Sequence, residues 1–205
     1  MSALWLEPQP LLLASKSAVR AELLRGALIP VEIRAAEIEE RAVEASLTVD
    51  GASPSSVAGA LAAAKAIDVS TRMPGRLVLG ADQTLSLAGE RFTKPKDRES
   101  GRAQLMRLSG RTHQLASGAA LVRDGAVLWT GIEEADMTMR ALSDAFVETY
   151  LDVAGAGVLS SVGGYQYEGA GVHLFDAVEG EFSTILGLPM LRVASALRAA
   201  GALLS

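Results

Sequence analysis

A mixed α/β fold is expected for this 205-residue chain. Strand and helix signals alternate along it, and an antiparallel meander interrupts them in the middle, so a clean doubly wound parallel sheet is excluded. Residues 11–14, Leu-Leu-Leu-Ala, read as a short buried strand that stops at small hydroxyl residues. A helix follows from about Ala18: Ser17 is placed to cap it, Val19, Leu23 and Leu24 recur at helical spacing, and Gly26 supplies a stop. Residues 29–33 read as a second strand leading into the acidic segment Glu37-Ile-Glu39-Glu40. Residues 55–68 form an Ala-rich helix with Lys65 near its carboxyl end, where a cation suits the helix dipole. Residues 77–82 read as a buried strand ending in the carboxylate of Asp82. Thr84-Leu-Ser-Leu then alternates and turns at Ala88-Gly89-Glu90, as a hairpin would.

Lys94-Pro95 opens a loop, and residues 98–108 are helical with Ser109-Gly110 as their stop. Residues 113–140 are the meander, with Asp124-Gly125 as a strong hairpin turn. Ser143 caps a further helix whose apolar stripe is Phe146, Val147 and Tyr150. A glycine-rich stretch over 155–171 precedes a strand at 172–175, and Pro189 starts a last helix closed by Gly201. With no repeat, linker or low-complexity tract, residues 1–205 are expected to form one domain.

Composition narrows the function. The residues are 49% hydrophobic and the net charge is −5, which argues against a protein that coats nucleic acid by bulk electrostatics. An anionic ligand must therefore be met by a local cluster of Lys and Arg. The absence of cysteine excludes disulfides, thiolate zinc sites and Cys nucleophiles, and suits a reducing compartment. Glu7, Pro8 and Pro10 break the amino terminus, so no signal peptide is expected, and no uninterrupted apolar run is long enough to span a membrane. With only two histidines, any metal site would rest on Asp and Glu, favouring Mg²⁺ or Mn²⁺ over zinc.

Several residues could carry chemistry, each with a plainer alternative. Arg20 falls in the first turn of its helix, where the dipole disfavours a cation. It is either a solvent-facing side chain or part of an anion site built with the free N–H groups of that turn. Asp82, read at a strand end, is placed where ligands and bases gather, or else forms a turn. Glu39 and Glu40 would point opposite ways in an extended segment, so only one could face a site; a solvated acidic loop is the alternative. Lys94 is a loop cation. Ser109-Gly-Arg-Thr-His113 could meet a phosphate, although a helix stop followed by a strand explains it equally well. His173 reads as structural. The glycine-rich segments fit neither a dinucleotide fingerprint nor a P-loop, and no nucleophile-elbow sequence supports a serine hydrolase.

In combination these pieces resemble the Maf family of nucleoside triphosphate pyrophosphatases over nearly the whole chain. The resemblance rests on Leu-Ala-Ser15-Lys-Ser17-Ala-Val-Arg20, the acidic step ending at Glu40, Ala-Lys65-Ala, Gly-Ala-Asp82-Gln83 and Lys94-Pro95. It continues through Leu-Ser109-Gly-Arg-Thr-His113, Gly163-Gly-Tyr-Gln-Tyr-Glu168-Gly and Gly187-Leu-Pro189. It implies a mixed α/β fold of two lobes around a deep cleft, related to inosine triphosphatases, and a cytoplasmic homodimer with no membrane or nucleic-acid-polymer partner. It also implies release of pyrophosphate from a nucleoside triphosphate, dependent on a divalent cation (Mg, Mn or Co). By resemblance Asp82, Lys65 and Lys94 are catalytic, Glu40 and Asp82 hold the metal, and Ser15, Val19, Arg20, Gln83 and Glu168 bind substrate.

The sequence departs from the family pattern in three places. Ala18 replaces a usual proline, Glu39 a usual aspartate, and no lysine precedes the glycine pair at Gly163. Gln83 and Glu168 are similar to the branch acting on 7-methylguanosine triphosphate, although Val19 stands where that branch has an aromatic residue. A carboxylate only accepts hydrogen bonds, and guanine offers neighbouring N1–H and N2–H₂ donors. The plainer reading of Glu168 is a carboxylate that binds N–H groups of its own loop. The alternative functions are a dTTP/UTP-type pyrophosphatase and a non-catalytic nucleotide-binding regulator of cell division.

Overall fold

The computed structural model describes residues 3–49 and 52–205. The elements run β1 (Leu11–Ala14), α1 (Ala18–Gly26), β2 (Val31–Ile33), α2 (Glu40–Val49), α3 (Pro54–Arg72), β3 (Leu77–Leu87) and β4 (Glu90–Phe92). They continue with α4 (Arg98–Leu108), β5 (Thr112–Arg123), β6 (Ala126–Met139), α5 (Asp144–Ala154) and α6 (Gly157–Ser160). After two 3₁₀ turns come β7 (Phe175–Glu179), α7 (Phe182–Ile185) and α8 (Met190–Ala199). The strands form one mixed sheet of order β2-β1-β3-β5-β6-β7, with β4 paired to β3. β1 is parallel to both β2 and β3, whereas β3–β4 and β6–β7 are antiparallel. The expected mixed α/β fold is therefore present.

Both tight hairpins form where turn chemistry places them. Ala88 and Gly89 adopt φ of 52° and 81°, and Asp124 and Gly125 adopt 50° and 75°. Positive φ at both central residues gives the twist that joins adjacent antiparallel strands.

The chain divides into two compact units, Met1–Gln83 with Ala116–Glu133 and Phe182–Ser205, and Thr84–Leu115 with Glu134–Glu181. In the first unit the central strands are buried on both faces, and strict alternation sorts their side chains into two cores. Leu11, Leu13, Leu77, Leu79, Ala81, Ala119 and Leu121 pack with α1 and α8 through Ala21, Leu24, Val193 and Leu197. Leu12, Ala14, Val78, Ala120 and Val122 pack on the opposite face against Ala62, Ala66 and Val69 of α3. Two glycines let α3 approach that face closely. A Cβ on Gly80 would run into the carbonyl oxygen of Ala62, and one on Gly118 into the backbone of Ala58.

Four boundaries differ from the sequence expectation. Glu40 opens helix α2 rather than lying in an extended acidic loop. Asp82 is not at a strand end, because the two predicted runs fuse into one eleven-residue strand in which only Asp82 and Gln83 are not fully buried. Lys65 is not at a helix end, because buried Val69 and Ser70 continue the apolar stripe and α3 runs on to Arg72. The expected strand at 172–175 is a 3₁₀ turn over Ala170–Leu174, and β7 begins only at Phe175.

The second unit contains a buried histidine. His113 is 2% exposed, its Nε2 lies 2.7 Å from the Tyr165 hydroxyl, and its Nδ1 has no hydrogen-bond partner among the described residues. Burial pushes its pKa down to about 4. The folded state thus holds the ring neutral, while the unfolded chain takes up a proton near pH 6.5. His113 stability is fully present above pH 6.5 and is lost as pH falls toward 4, about 3 kcal/mol across that window. Thermal melts from pH 8 to 4 should show this decline, and His113→Gln should flatten it. An equal slope in the variant would assign the acid sensitivity elsewhere.

Candidate active site

Strand alternation decides what Asp82 meets. It shares a face with Val78 and Gly80, the face covered by α3. There the Lys65 ammonium donates to Asp82 Oδ1 at 2.6 Å. The same ammonium lies 2.8 Å from Glu40 Oε1, at the first residue of α2. Lys65 and Asp82 keep only 11% and 14% of their side-chain surface exposed, against 53% for Glu40. One cation thus ties together two carboxylates from different elements. Lys65 is held in mid-helix by this pairing and not by the helix dipole. Asp82 Oδ2 has no hydrogen-bond partner among the described residues and remains a free acceptor.

Beside this cluster lies Arg20. The N-cap prediction holds: Ser17 Oγ accepts from the Arg20 backbone N–H at 3.4 Å. The solvent-facing reading of Arg20 does not. Its Nη1 donates to Ser15 Oγ at 3.0 Å and to the Ala81 carbonyl at 2.7 Å, while Nε donates to the Gly187 carbonyl at 2.8 Å. The sheet and the segment before α8 supply carbonyl acceptors, which explains why a cation is tolerated in a first turn. Burial lowers its pKa, and the charges of Asp82 and Glu40 oppose that shift. Arg20→Ala is therefore expected to lower the melting temperature as well as activity, because it strips donors from partly buried carbonyls. An unchanged melt with impaired kinetics would make Arg20 a pure ligand residue.

Ser15 is buried and accepts from both Arg20 and the Ser17 N–H, which leaves its own hydroxyl proton to donate. Val19 is partly buried on α1. Gln83, next to Asp82, faces the other way. Its Nε2 donates to Ser117 Oγ and to the carbonyls of Thr184 and Ile185, at 3.2, 3.0 and 3.0 Å. Its amide nitrogen is thus committed to the protein.

The second unit holds the remaining two predicted residues. Lys94 is exposed ahead of buried Pro95 and has no ion pair among the described residues. Glu168 is exposed in a turn and has no hydrogen bond among the described residues, so the loop-binding reading of its carboxylate fails. Its charge and, more strongly, burial raise the Tyr150 pKa to about 12. Sequence reasoning missed Gly187, whose carbonyl anchors Arg20, and Asp68 and Arg72 on α3. The four-residue spacing of the last two was visible, but not what they reach.

Comparison with known proteins bears on this constellation. A family profile described as Maf-like protein matches residues 10–200. The chain belongs to the Maf-like family. A Mesorhizobium japonicum relative named 7-methyl-GTP pyrophosphatase is 51% identical over 95% of this chain and 98% of its own. One from Brucella suis with the same name is 52% identical, over 92% and 94%. A Rhodopseudomonas palustris relative named nucleoside triphosphate pyrophosphatase is 51% identical, over 95% and 96%.

Proposed function

We propose that this chain hydrolyses a nucleoside triphosphate to the monophosphate and pyrophosphate, and that it prefers a 7-methyl-GTP-like purine. The family and the relatives' names support the reaction class. The observation that carries it to particular residues is the Lys65 ammonium shared by Asp82 and Glu40 beside Arg20. This local cationic pair is what an acidic protein needs to meet a polyphosphate.

The donor set fits a hard divalent cation. Among the described residues no group of three or more His, Asp or Glu could cage a metal. Mg²⁺-type ions, however, are commonly held by one or two carboxylates together with substrate phosphates and water. Glu40 and Asp82 would hold the ion; when bound it neutralises phosphate charge and acidifies water. Asp82, with Oδ2 free, accepts the proton of water attacking the α-phosphorus. Lys65 orients that carboxylate, then offers its charge to the phosphate oxygens. Arg20 and the Ser15 hydroxyl present further donors.

For the base, the carboxylate of Glu168 is an uncommitted acceptor. It suits the paired donors of guanine and would face carbonyl lone pairs on uracil or thymine. Methylation at N7 makes the base cationic and strengthens the match. Among the described residues no helix is long and apolar enough to cross a membrane. We place the enzyme in the cytoplasm, in keeping with a cysteine-free chain, and take it as a homodimer on the family resemblance alone.

A pyrophosphate-release assay over 7-methyl-GTP, GTP, UTP and dTTP with Mg²⁺ or Mn²⁺ tests the proposal. The guanine-type nucleotides, methylated above all, should be fastest, and Glu168→Gln should narrow or invert the preference. Faster hydrolysis of UTP or dTTP than of every purine would refute the base reading. Release from no nucleotide would favour the non-catalytic regulator.

A further inference from the structure

Glu40 is the most exposed member of the cluster, and it sits at the end of a six-residue connection from β2. Something must hold it over Lys65. Just beyond Lys65 on α3, Asp68 and Arg72 form an ion pair at 2.6 Å, the common i, i+4 arrangement of a solvated helix face. Here both partners also reach off the helix. Asp68 Oδ2 accepts the backbone N–H of Glu37 at 2.9 Å. Arg72 donates to the Ala35 carbonyl at 3.2 Å and to the Glu37 carboxylate at 3.1 Å. Between these two anchors Ala36 packs against the α3 core. Upstream, the Arg34 N–H donates to the Leu13 carbonyl. Downstream, the Glu39 carbonyl already accepts from the first turn of α2. The segment before Glu40 is therefore pinned to the helix that carries Lys65, by backbone groups that an ordinary surface ion pair would leave to water.

We propose that Asp68 and Arg72 are positioning residues that clamp residues 35–37 to α3 and so set Glu40 against Lys65. The inference rests on the reading of Glu40 as part of the catalytic cluster. Because one helix carries both Lys65 and the clamp, any movement of α3 carries the Glu40 segment with it. A misplacement of about 1 Å at a reacting group can cost roughly 100-fold in rate.

The test uses the full chain and three variants, Asp68→Ala, Asp68→Asn and Glu40→Ala, with the Asp68→Ala/Glu40→Ala double variant. Asp68→Ala should lower kcat about 10- to 100-fold with KM for the nucleotide changed less than about threefold. Asp68→Asn keeps an oxygen for the Glu37 N–H and should recover much of the loss. Adding Asp68→Ala to Glu40→Ala should cost nothing further. Hydrogen exchange, independent of turnover, should speed up at the amides of residues 35–40 in Asp68→Ala and stay unchanged in α8. Multiplicative losses in the double variant, or unchanged kcat in Asp68→Ala while Glu40→Ala is impaired, would overturn the clamp and leave the pyrophosphatase reading standing. An unimpaired Glu40→Ala would overturn the clamp together with the assignment of Glu40. Global loss of protection in Asp68→Ala would show a structural role and overturn it likewise.

Discussion

Asp82→Asn should lower turnover by about 10²- to 10⁴-fold while leaving the protein folded. Asparagine keeps the shape of the side chain and an oxygen for Lys65, which also retains Glu40 at 2.8 Å. What it removes is the charge and the basic lone pair of Oδ2. If Asp82 takes the proton from water or holds the metal, nothing else in the cluster replaces it, since Glu40 arrives from a separate and more exposed element. Nucleotide binding should change far less than kcat, because Arg20, Ser15 and Lys65 remain. Steady-state kinetics with circular dichroism on the variant check this; more than half the wild-type rate would sink the assignment.

The second large effect is structural in origin and functional in outcome. Gly80→Ala places a methyl group against the Ala62 carbonyl oxygen and within 2.9 Å of the Ala66 backbone nitrogen. Backbone on a buried helix cannot yield as a flexible side chain can, so α3 must lift from β3. Overpacking of this kind costs about 3 kcal/mol or more, a fall of roughly 6–12 °C in Tm for a chain of this size. The same shift draws Lys65 away from Asp82, so activity should fall further than the melting temperature alone explains. Gly26→Ala is the control, since a Cβ there meets nothing within 4 Å. Its Tm should move by less than about 2 °C. Equal behaviour of the two variants would mean that the close approach of α3 does not set the site.

Much of this site was legible from the sequence, because its residues are marked by abrupt local chemistry. A carboxylate breaks the apolar run at Asp82, a cation stands in a first turn at Arg20, and a lysine interrupts alanines at Lys65. The two hairpins were legible for a similar reason, as Gly89 and the Asp124-Gly125 pair tolerate the positive φ that their turns demand, and Ala88 is carried into that region by its turn. Pairing across space was not legible. Nothing in the local pattern says that Lys65 meets Glu40, that Arg20 spends three of its five N–H donors on the protein, or that the Gly187 carbonyl is one of the acceptors. The opposite aims of Asp82 and Gln83 follow from strand period once β3 is known to run through both. Reading the strand as ending at Asp82 concealed that. Helix α2 was missed because its acidic entry resembles a solvated loop, and what Glu40 meets at that entry is the distant Lys65.

Hydrolysis of 7-methyl-GTP in ¹⁸O-labelled water, followed by phosphorus NMR of the products, tests the central claim most directly. Attack on the α-phosphorus by water that Asp82 deprotonates requires one ¹⁸O in the nucleoside monophosphate and none in the pyrophosphate. Label in the pyrophosphate, or release of orthophosphate in place of pyrophosphate, would contradict it.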